Sequence, residues 1–511
     1  MDANVATAAR EAKKMAPQHL SKASPERVLA RARRVPLIQA VFDLAERHQM
    51  ALCLVGGTVR DLLLGYETHD LDYAVDGDGL AVARRVANAL GGAYVSLDPE
   101  RRTGRVVLRH EGAHAADSLD FASFRGPTLE ADLRDRDLTI NAMALCRASN
   151  GSFALIDPLA GSKDLHDRVL RATSSHAFLD DPVRTLRAVR QGIQFGCRIE
   201  AQTQAWLVQA VPCLSTISPE RIRDEWFRIL AQPRAGDAVR QLQCTGLLAQ
   251  VAPPVAALSN LPAPPPAHDA FSYAVAVLRA VEAIWEALQA QDGSAIELPA
   301  AAVAMAGHLR RRYEAPVSDQ RSHLALLKCA ALLCRVALAE PGEPSAAQSA
   351  RVAGQLAQSW HCSNAEAHML RVTVAAHACA VQLAQSDCLD RRAIHRYYRQ
   401  TGAHGVDAAY LALAETYASR TAGAPEPAWR CHVERLVRLW QAYYCRHGEV
   451  IAPPPLLSGH DLLQLGMAPG PQIGELLAHI REEQAAGEIE TRAQALAVAQ
   501  AWLRQDRERA V

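Results

Sequence analysis

Residues 54–75, "LVGGTVRDLLLGYETHDLDYAV", constrain the fold of this 511-residue chain more than any other stretch. A short apolar run ends in two glycines, a helical run stops at Gly65, and a second strand-like run begins at Asp70. Adjacent glycines between a strand and a helix let the backbone approach a ligand closely, and the helix start presents unpaired N–H groups to an anion. Asp70 and Asp72 stand two apart in the second run. On a strand such residues face the same side, so both carboxylates converge and repel each other unless a cation lies between them. Hard oxygen ligands of this kind suit Mg²⁺ together with substrate phosphates.

Two further segments carry charge in a pattern. In residues 132–144, "DLRDRDLTINAMA", a charged stretch containing Arg134 and Arg136 enters an apolar one, where ion pairs with Asp135 and Asp137 are the plain structural reading. In residues 180–190, "DDPVRTLRAVR", Pro182 fits a first helical turn. Asp181, Arg184, Arg187 and Arg190 then recur every three residues along one row of the helix. Three cations in a row are mutually unfavourable until an anion binds. Asp181 beside Arg184 combines an acceptor with a fork of donors, which suits the hydrogen-bonding edge of a base.

The order of strand and helix signals before residue 164 predicts an α+β unit, and the chain beyond it reads as almost entirely helical. Pro-rich stretches at residues 261–269 and 451–459 mark boundaries. With the change from mixed to helical signals, these divide the chain into an extension (1–35), a mixed-sheet unit (36–172) and three helical segments (173–260, 269–448 and 456–511). Lys plus Arg and Asp plus Glu both number 55, so no global field draws the chain to a polyanion and any such ligand must meet a local patch. Only five of the basic residues are Lys, which leaves the planar guanidinium as the chain's general cation. The 12 Cys show no C-x-x-C pair, which predicts reduced thiols in a cytoplasmic protein and neither a disulfide framework nor structural zinc. No apolar run reaches the roughly 18 residues of a membrane span, and the basic N-terminal residues lack a signal-peptide core.

Six stretches in order carry a resemblance: the glycine turn with Arg60 and Asp61, the Asp70/Asp72 pair, "RDLTINA", "IDPLAGSKDLHDRVLR" (156–171), "DDPVRTLRAVR" and "SPERIRDEWFRIL" (218–230). Residues 52–230 resemble the class II tRNA nucleotidyltransferase and bacterial poly(A) polymerase family, a branch of the DNA polymerase beta nucleotidyltransferase superfamily. Residues 457–496 resemble its RNA-binding C-terminal segment. The resemblance implies a polymerase-beta-like head followed by mostly helical neck, body and tail. It further implies addition of CMP and AMP to the 3′ end of tRNA without a nucleic-acid template, using CTP and ATP.

In that reading Asp70 and Asp72 hold Mg²⁺ and carry the catalysis. Gly57 and Arg60 contact phosphates, Arg136 the ribose or phosphates, and Asp181 and Arg184 select the base, with Arg187 and Arg190 completing the pocket. Asp120 is a further carboxylate near the metals, and residues 218–225 brace the neck.

Three departures from the family pattern stand out. Asp135 precedes Arg136 where many members have a second arginine, so that cationic contact is missing or moved to Arg134. Only "GPTLEA" (126–131) joins "LDFASFR" to "DLRDRD", where many members carry a longer loop linked to the switch from C to A addition. Cys334 and Arg335 occupy the place of a His-Asp dyad that some relatives carry, which predicts a helical scaffold without phosphohydrolase chemistry. Addition of C or A alone, or of poly(A), therefore stays open, as do an inactive RNA-binding protein and a transferase acting on a small molecule.

Overall fold

The computed structural model describes residues 25–109, 116–148, 150–264, 267–290, 298–318, 321–386, 388–419 and 426–509. The basic extension up to residue 24 lies outside them. The chain divides into two compact units: Met1–Ile217 with Thr245–Leu247, and Ser218–Cys244 with Leu248–Val511.

The first unit opens with helices α1 (Pro25–Ala32) and α2 (Pro36–Arg47), then β1 (Leu52–Val55), α3 (Gly57–Leu64) and β2 (Asp70–Val75). Helix α4 (Gly79–Leu90), three strands β3 (Ala93–Asp98), β4 (Thr103–Arg109) and β5 (Ala116–Ser123), and the short helix α5 (Leu129–Arg134) follow. Strands β6 (Ala144–Arg147) and β7 (Phe153–Ile156) complete a seven-stranded sheet of order β3-β4-β5-β2-β1-β6-β7. Only the β2–β5 pair is parallel within it. Phe42 of α2 packs edge-on to Tyr73 and Phe153, and Tyr73 stacks on Phe121, which fixes α2 on one face of the sheet. Arg31 of α1 donates to the carbonyls of Leu62 and Leu63, capping the C-terminal end of α3 with a cation. Beyond the sheet, α6 (Val183–Phe195) follows Pro182 as the sequence predicts.

The cysteine expectation needs correction. Cys53 and Cys146 form a disulfide between β1 and β6. They face each other in the strand register with Cα atoms 4.5 Å apart, a neighbourhood invisible at a separation of 93 residues. The remaining ten cysteines are free thiols, so there is one staple and no framework.

The second unit is built of helices apart from the two-stranded pair Pro316–Ser318 and Arg321–Ser322. Cys334 and Arg335 follow the helix His323–Leu333, and Arg335 donates to Glu415 at 3.2 Å while lying over the Tyr273 ring. His377 also pairs with Glu415. Nearby, Arg312 makes a forked contact with the fully buried Asp407, which also accepts from His404. Burial raises the Asp407 carboxyl, but the Arg312 charge and hydrogen bonds outweigh it and hold it at about 2. A depressed carboxyl adds stability that is present above its unfolded value near 4 and is lost as pH falls through the folded value. Asp407→Asn is accordingly expected to lower stability at pH 7 by about 3–5 kcal/mol and to flatten the fall in melting temperature between pH 5 and pH 2. Calorimetry across that range checks both.

Candidate active site

Asp70 and Asp72 lie on one face of β2, the first exposed and the second half-buried. Thr58, the second residue of α3, ties the glycine turn to this strand. Its hydroxyl donates to the Asp70 carbonyl at 3.1 Å and accepts the Asp72 N–H at 3.0 Å. Gly56, at φ +71°, sits where β1 gives way to α3. A Cβ there would stand 2.9 Å from an Arg136 Nη and 3.6 Å from a carboxylate oxygen of Asp72. Arg136 and Asp72 therefore both border the turn, and a Cβ at Gly56 would crowd the Arg136 side chain.

The parallel register sets Ser118 opposite Asp70 and Asp120 opposite Asp72. Ser118 donates to Asp70 at 2.6 Å, and Arg105 clamps Asp120 with two bonds of 2.7 Å. Burial, the neighbouring Asp120 and then Asp70 push the Asp72 carboxyl up to about 6, against the pull of Arg136 and Arg187. Two carboxylates on one face of β2 offer hard oxygen donors that fit a divalent cation together with substrate oxygens, while Asp120 is held by Arg105. Asp70 and Asp72 are the residues that would hold it.

Arg136 is oriented by the buried Asp132, at 2.9 and 3.2 Å. Arg125 contributes a contact the sequence reading missed. Its guanidinium lies near Asp132 and Asp135, and burial together with Arg136 and Arg184 lowers its pKa. Arg136 and Arg184 are thus close enough to Arg125 to disfavour its charge. Arg134, the other position considered for the family's second cation, is exposed at the end of α5.

On α6, Arg184 donates to the Ala177 carbonyl and lies 3.9 Å from Asp181. Arg187 pairs with Asp137 at 3.0 Å, and Arg190 donates to Gln194. Asp137 is buried, yet Arg187 and the Asn141 amide overcome that burial and keep its pKa low.

Arg60 is placed differently from the expectation of an open phosphate contact. It is 7% exposed, forks onto Asp61, donates to Asn141 at 2.5 Å and lies over the Phe195 ring. Asn141 in turn donates to Gln191 at 3.1 Å and to Asp137 at 2.9 Å. This buried relay joins the glycine-turn helix α3 to α6, and neither Asn141 nor Gln191 was singled out from sequence. Gln191→Leu leaves the Asn141 amide short of one acceptor. It is expected to lower catalytic efficiency about tenfold through misplacement of α6 while the melting temperature falls only slightly; steady-state kinetics and calorimetry check this.

The run 156–171 serves the scaffold. Asp157 accepts from the N–H groups of Gly161 and Ser162, and a Cβ on Gly161 would lie 2.0 Å from the Thr139 carbonyl oxygen. Thr139 donates to Asp164 at 2.8 Å, which fixes the turn that precedes Asn141.

A mixed sheet with two carboxylates facing a glycine turn, backed by a cluster of arginines, defines a nucleotidyltransferase with a polymerase-beta-like head. The family described as "Poly A polymerase head domain" matches residues 52–171, and "Probable RNA and SrmB- binding site of polymerase A" matches 196–258. The chain is 34% identical to the CC-adding tRNA nucleotidyltransferase of Geobacter sulfurreducens over 90% of its own length and 94% of the relative. It is 32% identical to the A-adding tRNA nucleotidyltransferase of Deinococcus radiodurans over 88% and 95%. A solved CCA-adding enzyme with CTP shares the fold at TM-score 0.63, with 20% identity over 94% of this chain and 98% of that one. The Thermotoga maritima CCA-adding enzyme complexed with tRNA gives 0.58, with 20% identity over 94% and 98%. The chain belongs to the tRNA nucleotidyltransferase and poly(A) polymerase family and is a nucleotidyltransferase. Enzymes of this family use a divalent metal, and among the described residues no helix is long and apolar enough to cross a membrane.

Proposed function

We propose that this chain adds CMP and AMP to the 3′ end of tRNA without a nucleic-acid template, using CTP and ATP and releasing pyrophosphate. The observation that carries the reading is that Asp72, which shares a face of β2 with Asp70, borders the Gly56 turn together with Arg136, in the same unit as an α6 that carries Arg184 beside Asp181. Asp70 and Asp72 would hold Mg²⁺, which when bound would supply activation of the RNA 3′ hydroxyl and neutralisation of the triphosphate. Gly57, Arg125 and Arg136 orient the phosphates, and Asp181 and Arg184 present an acceptor and donors to the base. Arg187 and Arg190 complete the charge of that row, and Arg60 holds α3 in place beneath it. The helical neck and tail carry the tRNA, and the enzyme acts in the cytoplasm. The names of the relatives and the nucleotide- and tRNA-bound neighbours support this choice of substrates.

A second reading, addition of the two C residues alone, is favoured by one observation. Residues 126–128 lead directly into α5, which Thr128 caps by accepting the Ala131 N–H, so no long loop stands between β5 and Arg136. Two relatives that match 88–90% of the chain are named for CC or A addition alone. Labelled CTP offered with tRNA that ends before its CCA tests the main reading: label enters the RNA and pyrophosphate is released in equal amount. No label in RNA overturns it.

A further inference from the structure

The Cys53–Cys146 bond lies on the ladder that leads into the active site. From the two cysteines the β1–β6 register runs through Leu54 with Leu145 and Val55 with Ala144. It ends where the Gly56 N–H donates to the Met143 carbonyl at 3.1 Å. One strand thus delivers the glycine turn, and the other takes up the chain just after Arg136 and Asn141. The cysteines also share the face of the catalytic carboxylates. Cys53 stands opposite Ala74 of β2, and Ala74 follows Asp72 by two residues. Both cysteines pack against a cluster that includes Val55, Ala74, Ala144 and Leu133. Leu133 belongs to α5, next to the Asp132 that orients Arg136.

The setting is that of a bond that opens and closes. Ten of the 12 cysteines are free thiols, which suits a reducing compartment, and disulfides formed there are usually transient. Both bonded residues are half-buried. Their Cα atoms stand 4.5 Å apart, the spacing at which side chains meet most closely across antiparallel strands, so the sulfurs remain neighbours once the bond opens. Opening nevertheless parts them from bonding to van der Waals distance. On a close-packed face that room is taken from the neighbours, and Leu133 is one of them.

We infer that the Cys53–Cys146 pair is a reversible redox switch on the active site, exchanging with a small-molecule thiol and its disulfide. In closure one cysteine thiolate attacks the small disulfide and expels one thiolate. The second cysteine thiolate then attacks the protein sulfur of the mixed disulfide and expels the other. Two protein thiols are oxidised, one small disulfide is reduced to two thiols, and the two protons pass to the released thiolates. Opening runs the same steps in reverse. The closed bond holds α5 and Arg136 in the arrangement described above, and the open pair displaces them. That the switched reaction is addition of CMP and AMP to tRNA rests on the function proposed above; the exchange chemistry does not.

The full-length protein is equilibrated in glutathione buffers from fully reduced to fully oxidised, at a temperature well below its melting transition. Differential alkylation with mass spectrometry reads the fraction of Cys53 and Cys146 in the bond. CTP incorporation into tRNA lacking CCA, and CTP affinity, are measured on the same samples. Incorporation is expected to fall about tenfold on reduction, the cost of a displaced phosphate contact. Its midpoint coincides with that of the two thiols, and reoxidation restores it. Cys53→Ser with Cys146→Ser is expected to stay at the reduced level in every buffer, and Cys53→Ala with Cys146→Ala gives the same reading without a hydroxyl on the packed face. A pair that closes nowhere in the range, closure with no change in incorporation or CTP affinity, or a response that survives in both variants would overturn the inference. CTP affinity that follows the bond in a protein that incorporates no nucleotide would overturn the proposed activity and leave the switch standing.

Discussion

Asp72→Asn is expected to lower nucleotide incorporation by about 10³-fold or more, a loss of roughly 4 kcal/mol of transition-state stabilisation, while the melting temperature stays level or rises. The second half of this expectation separates a catalytic carboxylate from a structural one. Asp72 is half-buried beside Asp70 and Asp120, so its charge is held there at a cost in the absence of a cation. Its backbone N–H, which Thr58 accepts, is untouched by the substitution. A structural aspartate such as Asp132, which two bonds tie to Arg136, would instead lose stability together with activity. Parallel single-turnover kinetics and calorimetry on Asp72→Asn read both quantities, and retained incorporation would remove Asp72 from the metal site.

The second large effect concerns the base. Asp181→Ala is expected to reduce discrimination for CTP over UTP by about tenfold to 10²-fold, the worth of one good hydrogen-bonded base contact. Asp181 stands 3.9 Å from the Arg184 guanidinium, whose other bond goes to the Ala177 carbonyl. The pair is thus anchored at one end and can present both an acceptor and donors. Incorporation of each of the four nucleotides at equal concentration measures the effect. A uniform fall across all four would make Asp181 a scaffold residue, and α6 would lose its role as selector.

Legibility in the sequence followed the range of each interaction. The two carboxylates of β2 were readable because a strand repeats every two residues, and the α6 row because a helix brings residues three and four apart together. Arg60 was not. Whether an arginine after a glycine turn faces a ligand or the core depends on Asn141 and Gln191, 81 and 131 positions away. Arg125 escaped notice for a related reason: its place beside Arg136 and Arg184 is set by tertiary packing after a short turn. The Cys53–Cys146 bond depends on strand order, since β1 and β6 are neighbours only because the chain first builds five other elements between α3 and α5. The helical second unit was legible as helix. Its ion pairs, such as Arg312 with Asp407 and Arg335 with Glu415, were not.

The most direct measurement offers the protein three tRNAs, one lacking CCA, one lacking only the terminal A and one complete, with CTP and ATP separately and together. Product lengths are then read at single-nucleotide resolution. The account predicts extension of the first tRNA with CTP, extension of the second only with ATP, and no extension of the complete tRNA. Extension of the first by two residues with no response of the second to ATP would assign C addition alone. No extension of either incomplete tRNA, with the Asp70 and Asp72 site intact, would contradict the account.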